Sequence, residues 1–190
     1  MEIILASASP RRQKLLKAWG VRFRILPSNI RERTNFKKPS EIVKDLAYKK
    51  AFSVAGKLKE GIVIGADTIV VLKGEIIGKP KDPKDAERIL SGLNGGCHRV
   101  YSGISVIDAS SGRSKTAFAV SRVKMRRLSK SEIERFSHKH LDKAGAYAVQ
   151  EKGDAFVESI EGDYFNVVGL PYIKLKQVLA SFGVKLKKCG

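Results

Sequence analysis

The amino-acid sequence predicts an α/β fold with a mixed β-sheet. Runs with the helical spacing of apolar residues alternate with strand-like apolar runs along the chain. Some strand-like runs are continuously apolar, which is typical of strands covered on both faces, and others are joined by tight turns, which indicate antiparallel pairs. With 190 residues, 43% of them hydrophobic, the chain can bury a sizeable core. We expect one domain over residues 1–190, with a second lobe over about 99–150 beside a cleft.

Turn and capping residues delimit the elements of the first half of the chain. Pro10 suits the first turn of a helix that Gly20 ends, and Ser40 is the predicted N-cap of the next helix. Lys73-Gly74 predicts a tight turn between two strands. The predicted elements are a strand Ile3–Ala6, helices Pro10–Trp19 and Glu41–Ala55, strands Ile62–Ala66, Ile69–Leu72 and Glu75–Gly78, and a helix that begins at Pro83 and ends before Asn94.

The second half of the chain is predicted to be richer in strands. A turn at Ser110–Gly112 separates the first two strands, and Ser131 begins a short helix. The turn residues Glu161-Gly162-Asp163 predict a hairpin. The predicted elements are strands Ile104–Ile107 and Ala117–Met125, a helix Ser131–Phe136, a hairpin pairing Ala155–Ile160 with Tyr164–Val168, and a helix that begins at Pro171 and ends before Gly183.

The charge balance indicates a polyanionic ligand. Lys and Arg number 37 against 19 Asp and Glu, a formal net charge of +18, which suits nucleic acid, an anionic membrane or a phosphorylated small molecule. Two distant cysteines exclude a disulfide framework and fit a reducing compartment. The N-terminal residues lack the pattern of a signal peptide, and no apolar run is long enough to span a bilayer. We therefore expect a soluble, cytoplasmic protein that does not bind membranes.

The segment Ser7–Arg12 predicts an anion site at a helix N-terminus. If Ser9 is the N-cap, Arg11 and Arg12 lie in the first turn, where the helix dipole is already positive, at a cost of about 0.3–1 kcal/mol each. A bound phosphate would remove that conflict, because free backbone N–H groups, the hydroxyl of Ser7 and guanidinium groups all bind phosphate oxygens. The alternative is a solvated basic turn without a ligand.

Lys50 and Asp67 are charged residues at positions where the pattern is apolar. Lys50 falls near the middle of the apolar stripe of its predicted helix, so it either pairs with an acid or faces a phosphate at a cleft wall. Asp67 directly follows a buried-type strand and has Thr68 beside it. A carboxylate in such a place has either a structural partner, a metal or a catalytic role.

Three further residues are weaker candidates. Lys79 follows the next predicted strand, so its ammonium group can return to the same cleft. Glu32 lies in a predicted loop, where simple exposure is the alternative to a role in a site. Gln150 is a plausible reader of a nucleotide base through its side-chain amide, although a single glutamine indicates little.

Taken together, these segments resemble the Maf family of nucleoside triphosphate pyrophosphatases. They keep the order and spacing of the family's motifs from Ile3 to beyond Pro171, nearly the whole chain. The matching segments are Leu5–Arg12, Gly65–Thr68, Gly78–Pro80, Asp142–Tyr147 with Gln150, and Val168–Pro171. The resemblance implies an elongated mixed sheet flanked by helices, with two lobes around a cleft, as in Maf and ITPase-like proteins.

The resemblance also implies a reaction and its residues. The reaction is hydrolysis between the α- and β-phosphates of a nucleoside triphosphate, with a divalent cation, Mg²⁺ or Mn²⁺, as cofactor. Asp67 matches the catalytic carboxylate that takes a proton from the attacking water. The residues that match the triphosphate-binding positions are Ser7, Arg12, Lys50 and Lys79, of which Lys50 and Lys79 are counted with the catalytic group. Glu32 matches an acid near the metal, which Asp67 would share.

Three positions distinguish the branches of the family. This chain has Arg11, Thr68 and Gln150 where the branch acting on dTTP and UTP has Arg, Thr and Gln. The branch that favours 7-methyl-GTP has an aromatic residue, Gln and Glu there. The resemblance therefore implies a dTTP/UTP pyrophosphatase, with modified pyrimidine nucleotides as further candidate substrates.

Two other classes of protein compete with this interpretation. A non-catalytic RNA- or DNA-binding module would use the basic surface, but aromatic residues make up only 7% of the chain and no aromatic RNA-binding run is present. A dinucleotide-binding domain would need a GxGxxG motif after a strand, and the sequence has none. We expect a nucleoside triphosphate as the ligand, no specific nucleic acid, and a homodimer as the one protein assembly to be tested.

Overall fold

A computed structural model of the chain describes residues 2–139, 141, 144–147 and 156–186. In these residues, seven strands form one sheet: β1 (Ile3–Leu5), β2 (Arg24–Ile25), β3 (Ile62–Leu72), β4 (Glu75–Ile77), β5 (Cys97–Asp108), β6 (Ser114–Met125) and β7 (Val157–Glu161). The helices are α1 (Pro10–Ala18), α2 (Pro39–Ala55), α3 (Pro83–Leu93), α4 (Lys130–Ser137), α5 (Tyr164–Val168) and α6 (Tyr172–Ala180). A 3₁₀ turn spans Ala144–Ala146.

The sheet is mixed, as the sequence predicts. Its strand order is β2-β1-β3-β5-β6-β7, and β4 pairs with the far end of β3. The short strands β1 and β2 are parallel to each other, and β1 is parallel to β3, whereas the long strands β3, β5 and β6 form antiparallel pairs. A mixed sheet flanked by helices is therefore confirmed. The division into two lobes stays a prediction.

Strand β3 carries different helices on its two faces, because successive side chains of a strand point to opposite sides. Ile62, Ile64 and Ala66 pack in a core with residues of α1 and α6. Val63 packs instead in a core with residues of α2. As a result, Asp67 and Thr68, which follow along the same strand, point toward different helices.

Helix α2 lies directly on two glycines of the sheet. A Cβ atom at Gly65 would overlap with the backbone oxygen of Ala47, and one at Gly103 would overlap with the backbone oxygen of Val43. Gly103 is the cross-strand partner of Asp67. The missing side chains let α2 approach the strands closely enough for a lysine on its buried face to reach Asp67.

A third core fills the other end of the sheet. It packs apolar residues of α3, α4 and the 3₁₀ turn against β3, β5 and β6. His98 is buried in this region and its Nε2 lies 2.6 Å from the hydroxyl oxygen of Tyr147. This contact links Tyr147, the residue directly after the 3₁₀ turn, to strand β5.

Several predicted boundaries need correction. Ser40 is not the N-cap of α2, because the helix begins at Pro39, with Lys38 in the capping position. Proline suits the first helical position, since its missing N–H would have no partner there and its φ is already helical. Strand β3 runs unbroken through Asp67 and Thr68, where the sequence predicts two strands, and β5 begins at Cys97, before its predicted start.

The predicted hairpin between Ala155–Ile160 and Tyr164–Val168 is wrong. Val157–Glu161 is a strand, but it pairs with β6, and Tyr164–Val168 is a helix. The backbone N–H of Phe165 donates to the side chain of Asp163, which caps this helix, and Gly169 ends it with a φ of 112°. A short, mostly apolar run fits either a strand or a helix, and the capping residues decide. Ala155 lies outside the described residues.

Within the described ranges, no helix combines the length and apolar character needed to cross a bilayer.

Candidate active site

A lysine held between two carboxylates is the centre of the site. Lys50, on the buried face of α2, places its Nζ 2.6 Å from Oδ1 of Asp67 and 2.7 Å from Oε1 of Glu32. Lys50 and Asp67 are buried, whereas the Glu32 side chain is 56% exposed. The apolar-stripe position of Lys50 is thus explained by pairing with acids, at a place where one of those acids opens to solvent.

The surrounding cations keep Glu32 ionised. Burial alone would raise the pKa of Glu32, but the hydrogen bond and charge of Lys50, with further contributions from Lys79 and Arg12, lower it below the usual value. Lys79 itself is exposed in the loop after β4, and its charge reaches Glu32. The structure therefore brings Glu32, Lys50, Asp67 and the charge of Lys79 into one electrostatic group.

Thr68 lies in a different cluster, which is organised by Arg12 of α1. The guanidinium of Arg12 donates to three oxygens: Nη1 to Oγ of Ser7 at 3.0 Å, Nη2 to Oγ1 of Thr68 at 3.2 Å, and Nε to the carbonyl of Gly169 at 2.9 Å. Burial lowers the pKa of Arg12, and the nearby charge of Asp67 acts in the opposite direction. Arg12 therefore ties the N-terminal segment to β3 and to the end of α5.

The N-terminus of α1 faces this cluster without an acid of its own. Ser9 is the N-cap, as the sequence predicts, but its side chain caps no backbone N–H, and the first turn contains no acidic residue. The backbone N–H of Ser9 donates to Oγ of Ser7 at 3.3 Å. A helix start with positive residues and no internal anion is well suited to bind a phosphate group.

Arg11 of α1 lies near Tyr147, which directly follows the 3₁₀ turn. Arg11 is half-buried at the start of α1, and its charge acts on the hydroxyl of Tyr147, whose pKa is raised by burial. The 3₁₀ segment is held to the loop after β4 by the backbone N–H of Gly145, which donates to the carbonyl of Gly78 at 3.2 Å. Gln150, the predicted base reader, lies outside the described residues.

Two residues of the Thr68 cluster were not predicted from the sequence. Ser102 of β5 is completely buried, and its Oγ lies 2.8 Å from Oγ1 of Thr68 and 2.8 Å from the carbonyl of Asn166. Asn166 of α5 is also buried and donates from Nδ2 to the carbonyl of Val100 and to Ser121. The signal for Ser102 lies in the strand register, since it is the cross-strand partner of Thr68. Without that register, a serine in a strand looks ordinary.

Glu32 and Asp67 are the described acidic residues of the site that could hold a divalent cation together with a substrate. No group of three or more His, Cys, Asp or Glu side chains that could hold a metal occurs among the residues described. Glu32 and Asp67 do converge on one point, occupied by the ammonium group of Lys50. Mg²⁺ is commonly held by one or two carboxylates together with substrate phosphates and water, and this pair suits that manner of binding.

Comparison with known proteins places the chain in a family. The model of the family described as Maf-like protein matches residues 2–182. Because this match covers nearly the whole chain, the protein belongs to the Maf-like family, and the resemblance seen in the sequence is confirmed.

Two similar proteins carry the same name. A protein of Dictyoglomus turgidum (strain DSM 6724 / Z-1310), named dTTP/UTP pyrophosphatase, is 49% identical over 189 residues, covering 97% of this chain and 98% of its own. A protein of Elusimicrobium minutum (strain Pei191) with the same name is 45% identical over 183 residues, covering 96% of this chain and 100% of its own.

A solved structure supports the fold. The structure of the Staphylococcus aureus Ham1 protein superposes with a TM-score of 0.53 at 15% identity, covering 97% of this chain and 100% of that chain. At this identity the likeness concerns the fold alone, and it agrees with the mixed sheet predicted here.

Proposed function

We propose that this protein hydrolyses dTTP and UTP to the nucleoside monophosphate and pyrophosphate. The observation that carries the proposal is Asp67, a buried carboxylate held by Lys50 within a group of cations that can neutralise a triphosphate. The names of the relatives support the reaction and the two nucleotides. Modified pyrimidine nucleotides are included in the proposal as further substrates.

In the proposed reaction, Asp67 is the general base. Its carboxylate takes a proton from a water molecule, the water oxygen bonds to the α-phosphorus, and the bond from that phosphorus to the α,β-bridging oxygen breaks. The electron pair leaves with pyrophosphate. General-base catalysis of this kind contributes about 10²–10⁴-fold. Lys50 orients the base, since its ammonium donates to Oδ1 of Asp67.

In this proposal, the phosphates are bound by cationic side chains and by the N-terminus of α1. Arg12, Ser7 and the N-terminus of α1 contact the triphosphate on one side, and Lys79 on the other. Mg²⁺ or Mn²⁺, held by Glu32 and Asp67, would supply positive charge that stabilises the departing pyrophosphate. Arg11, Thr68 and Gln150 are proposed to select the base.

The test is a panel of nucleoside triphosphates incubated with Mg²⁺ or Mn²⁺. Pyrophosphate and orthophosphate are assayed separately, and parallel samples contain EDTA. We expect pyrophosphate from dTTP and UTP, with little from purine nucleotides, and a loss of activity in EDTA. Orthophosphate as the first product would contradict cleavage at the α–β bond. No product from any nucleotide, together with salt-dependent RNA binding, would favour the nucleic-acid-binding alternative.

The cytoplasmic location and the homodimer stay predictions. Sedimentation at several protein concentrations tests the assembly, and a concentration-independent monomer would contradict the dimer.

A further inference from the structure

The direction of the hydrogen bonds around Thr68 can be worked out from the number of protons available. Arg12 is only a donor, so its Nη2 donates to Oγ1 of Thr68. The backbone carbonyl of Asn166 is only an acceptor, so the hydroxyl proton of Ser102 is used in the 2.8 Å contact with it. Ser102 then has no proton left for Thr68.

Thr68 must therefore donate its own proton to Ser102. Two hydroxyl oxygens 2.8 Å apart need one proton between them, and only the Thr68 proton remains. The other acceptor near Thr68 is the carbonyl of Gly169, at 3.5 Å, which is a much poorer distance. The hydrogen bonds thus run in one direction: Arg12 donates to Thr68, Thr68 to Ser102, and Ser102 to the carbonyl of Asn166.

A hydroxyl oxygen has one proton and two lone pairs. In Thr68 the proton is used by Ser102 and one lone pair by Arg12. Among the residues described, none donates to the second lone pair. Thr68 is half-buried, unlike Ser102, so this lone pair is the part of the cluster that a ligand can meet. Toward a ligand, Thr68 is then an acceptor and not a donor.

We propose that Ser102 is a positioning residue that makes the site selective for a base bearing an imide N–H. This inference rests on the proposed function, in which Thr68 contacts the base. Uracil and thymine carry an N–H at N3, which donates to the free lone pair of Thr68. Cytosine carries a bare lone pair at N3, which would meet the lone pair of Thr68 without a proton between them. Ser102 touches neither base, and acts by keeping the Thr68 proton pointed away.

The surrounding structure holds this arrangement in place. Asn166 donates to the carbonyl of Val100 and to Ser121, both at 2.9 Å, and Ser121 in turn donates to the carbonyl of Asp163 at 2.9 Å. Helix α5 is therefore attached to β5 and β6 through groups whose donor and acceptor roles are fixed. The carbonyl of Asn166 that receives the Ser102 proton cannot easily turn away.

The test measures kcat/KM for UTP and CTP in the wild type and in four variants. In Ser102→Ala the Thr68 proton is released and can point to the ligand, so we expect the UTP-to-CTP ratio to fall about tenfold. Part of that change should be a gain with CTP, which a merely structural defect would not produce. Ser105→Ala is the matched control, because Ser105 is equally buried on β5 but pairs with Thr116, away from Thr68.

The remaining variants show whether Ser102 acts through Thr68. Thr68→Val removes the hydroxyl. We therefore expect the double variant Thr68→Val/Ser102→Ala to have the same UTP-to-CTP ratio as Thr68→Val alone. In the wild type, 3-methyl-UTP should react far more slowly than 5-methyl-UTP, a comparison that does not depend on how any variant folds. A UTP-to-CTP ratio in Ser102→Ala within twofold of the wild type would overturn the inference. A wild type that releases no pyrophosphate from UTP would instead overturn the proposed function.

Discussion

Asp67 and Thr68 are neighbours on β3, yet they belong to two polar clusters of opposite character. Asp67 faces α2, where it forms a charged group with Lys50 and Glu32. Thr68 faces the side of α1 and α5, where it joins a chain of hydrogen bonds that runs from the guanidinium of Arg12 through two hydroxyls to a carbonyl. The alternation of side chains along one strand separates the two by a single residue.

The two clusters stabilise their buried polar groups in different ways. A buried charge is costly unless it is paired, and the ammonium of Lys50 is paired twice, with Glu32 keeping one side open to solvent. A buried hydroxyl needs only its proton and one acceptor to be placed correctly. The first cluster therefore holds paired charges, whereas the hydroxyls of the second fix the direction of their protons. In the proposed function the first performs the reaction and the second selects the base.

The largest expected effect comes from removing the charge of Asp67. Asp67→Asn keeps the shape of the side chain but cannot take a proton from water, so we expect kcat to fall about 10²–10⁴-fold. The matched control is Asp45→Asn, because Asp45 also pairs with a lysine of α2, Lys49, at 2.7 Å, but outside the site. Initial rates of pyrophosphate release measure both. Near-wild-type kcat in Asp67→Asn, with the fold confirmed by circular dichroism, would reject Asp67 as the base.

Removing the shared cation should cost stability as well as activity. Lys50→Met leaves the buried carboxylate of Asp67 without its partner, so we expect unfolding in urea to require about 3–5 kcal/mol less free energy. Lys49→Met breaks the more exposed pair with Asp45 and should cost about 0–1 kcal/mol. Equal losses in the two lysine variants would show that the pairing in the site does not differ from a surface ion pair.

The cluster around Asp67 was within reach of sequence reasoning, and the buried partners of Thr68 were not. Lys50 interrupts an apolar stripe and Asp67 ends an apolar run, so each stands out against a local pattern. Ser102 does not stand out, because its role depends on the register of β5 against β3 and on the position of α5. Both are set by contacts between residues far apart in the chain, which no local pattern contains.

The secondary-structure predictions also differed in accuracy from one element to another. Elements with clear boundary residues, such as α1 between Pro10 and Gly20 and α3 after Asp82, were predicted closely. The short run Tyr164–Val168 was assigned to a strand, although Asp163 and Gly169 form the caps of a helix. The close packing of α2 against Gly65 and Gly103 was not predicted either, since it depends on which strands lie side by side.

A third buried polar pair lies at the far end of the sheet, and it contrasts with the pairing of Lys50. His98 has Tyr147 as a partner on Nε2, while its Nδ1 is buried with no hydrogen-bond partner in the described part of the chain. Burial lowers the pKa of His98 to about 4, so the folded protein keeps it neutral where an unfolded histidine, with a pKa near 6.5, becomes charged. Unlike Lys50, it pairs with no carboxylate of the described residues.

The smallest expected effect is therefore a dependence of stability on mildly acidic pH. Between pH 6.5 and 5 the unfolded chain binds a proton at this histidine and the folded chain does not, so the free energy of unfolding falls by about 1.5 kcal/mol as the pH falls. The decrease continues toward pH 4 and then stops, because both states are protonated below that value. Urea unfolding at half-unit steps measures the slope above pH 5, where the carboxylates with lowered pKa contribute little. His98→Gln keeps a polar partner for Tyr147 without a titrating group and should flatten this slope, whereas an unchanged slope would mean that His98 is charged in the fold.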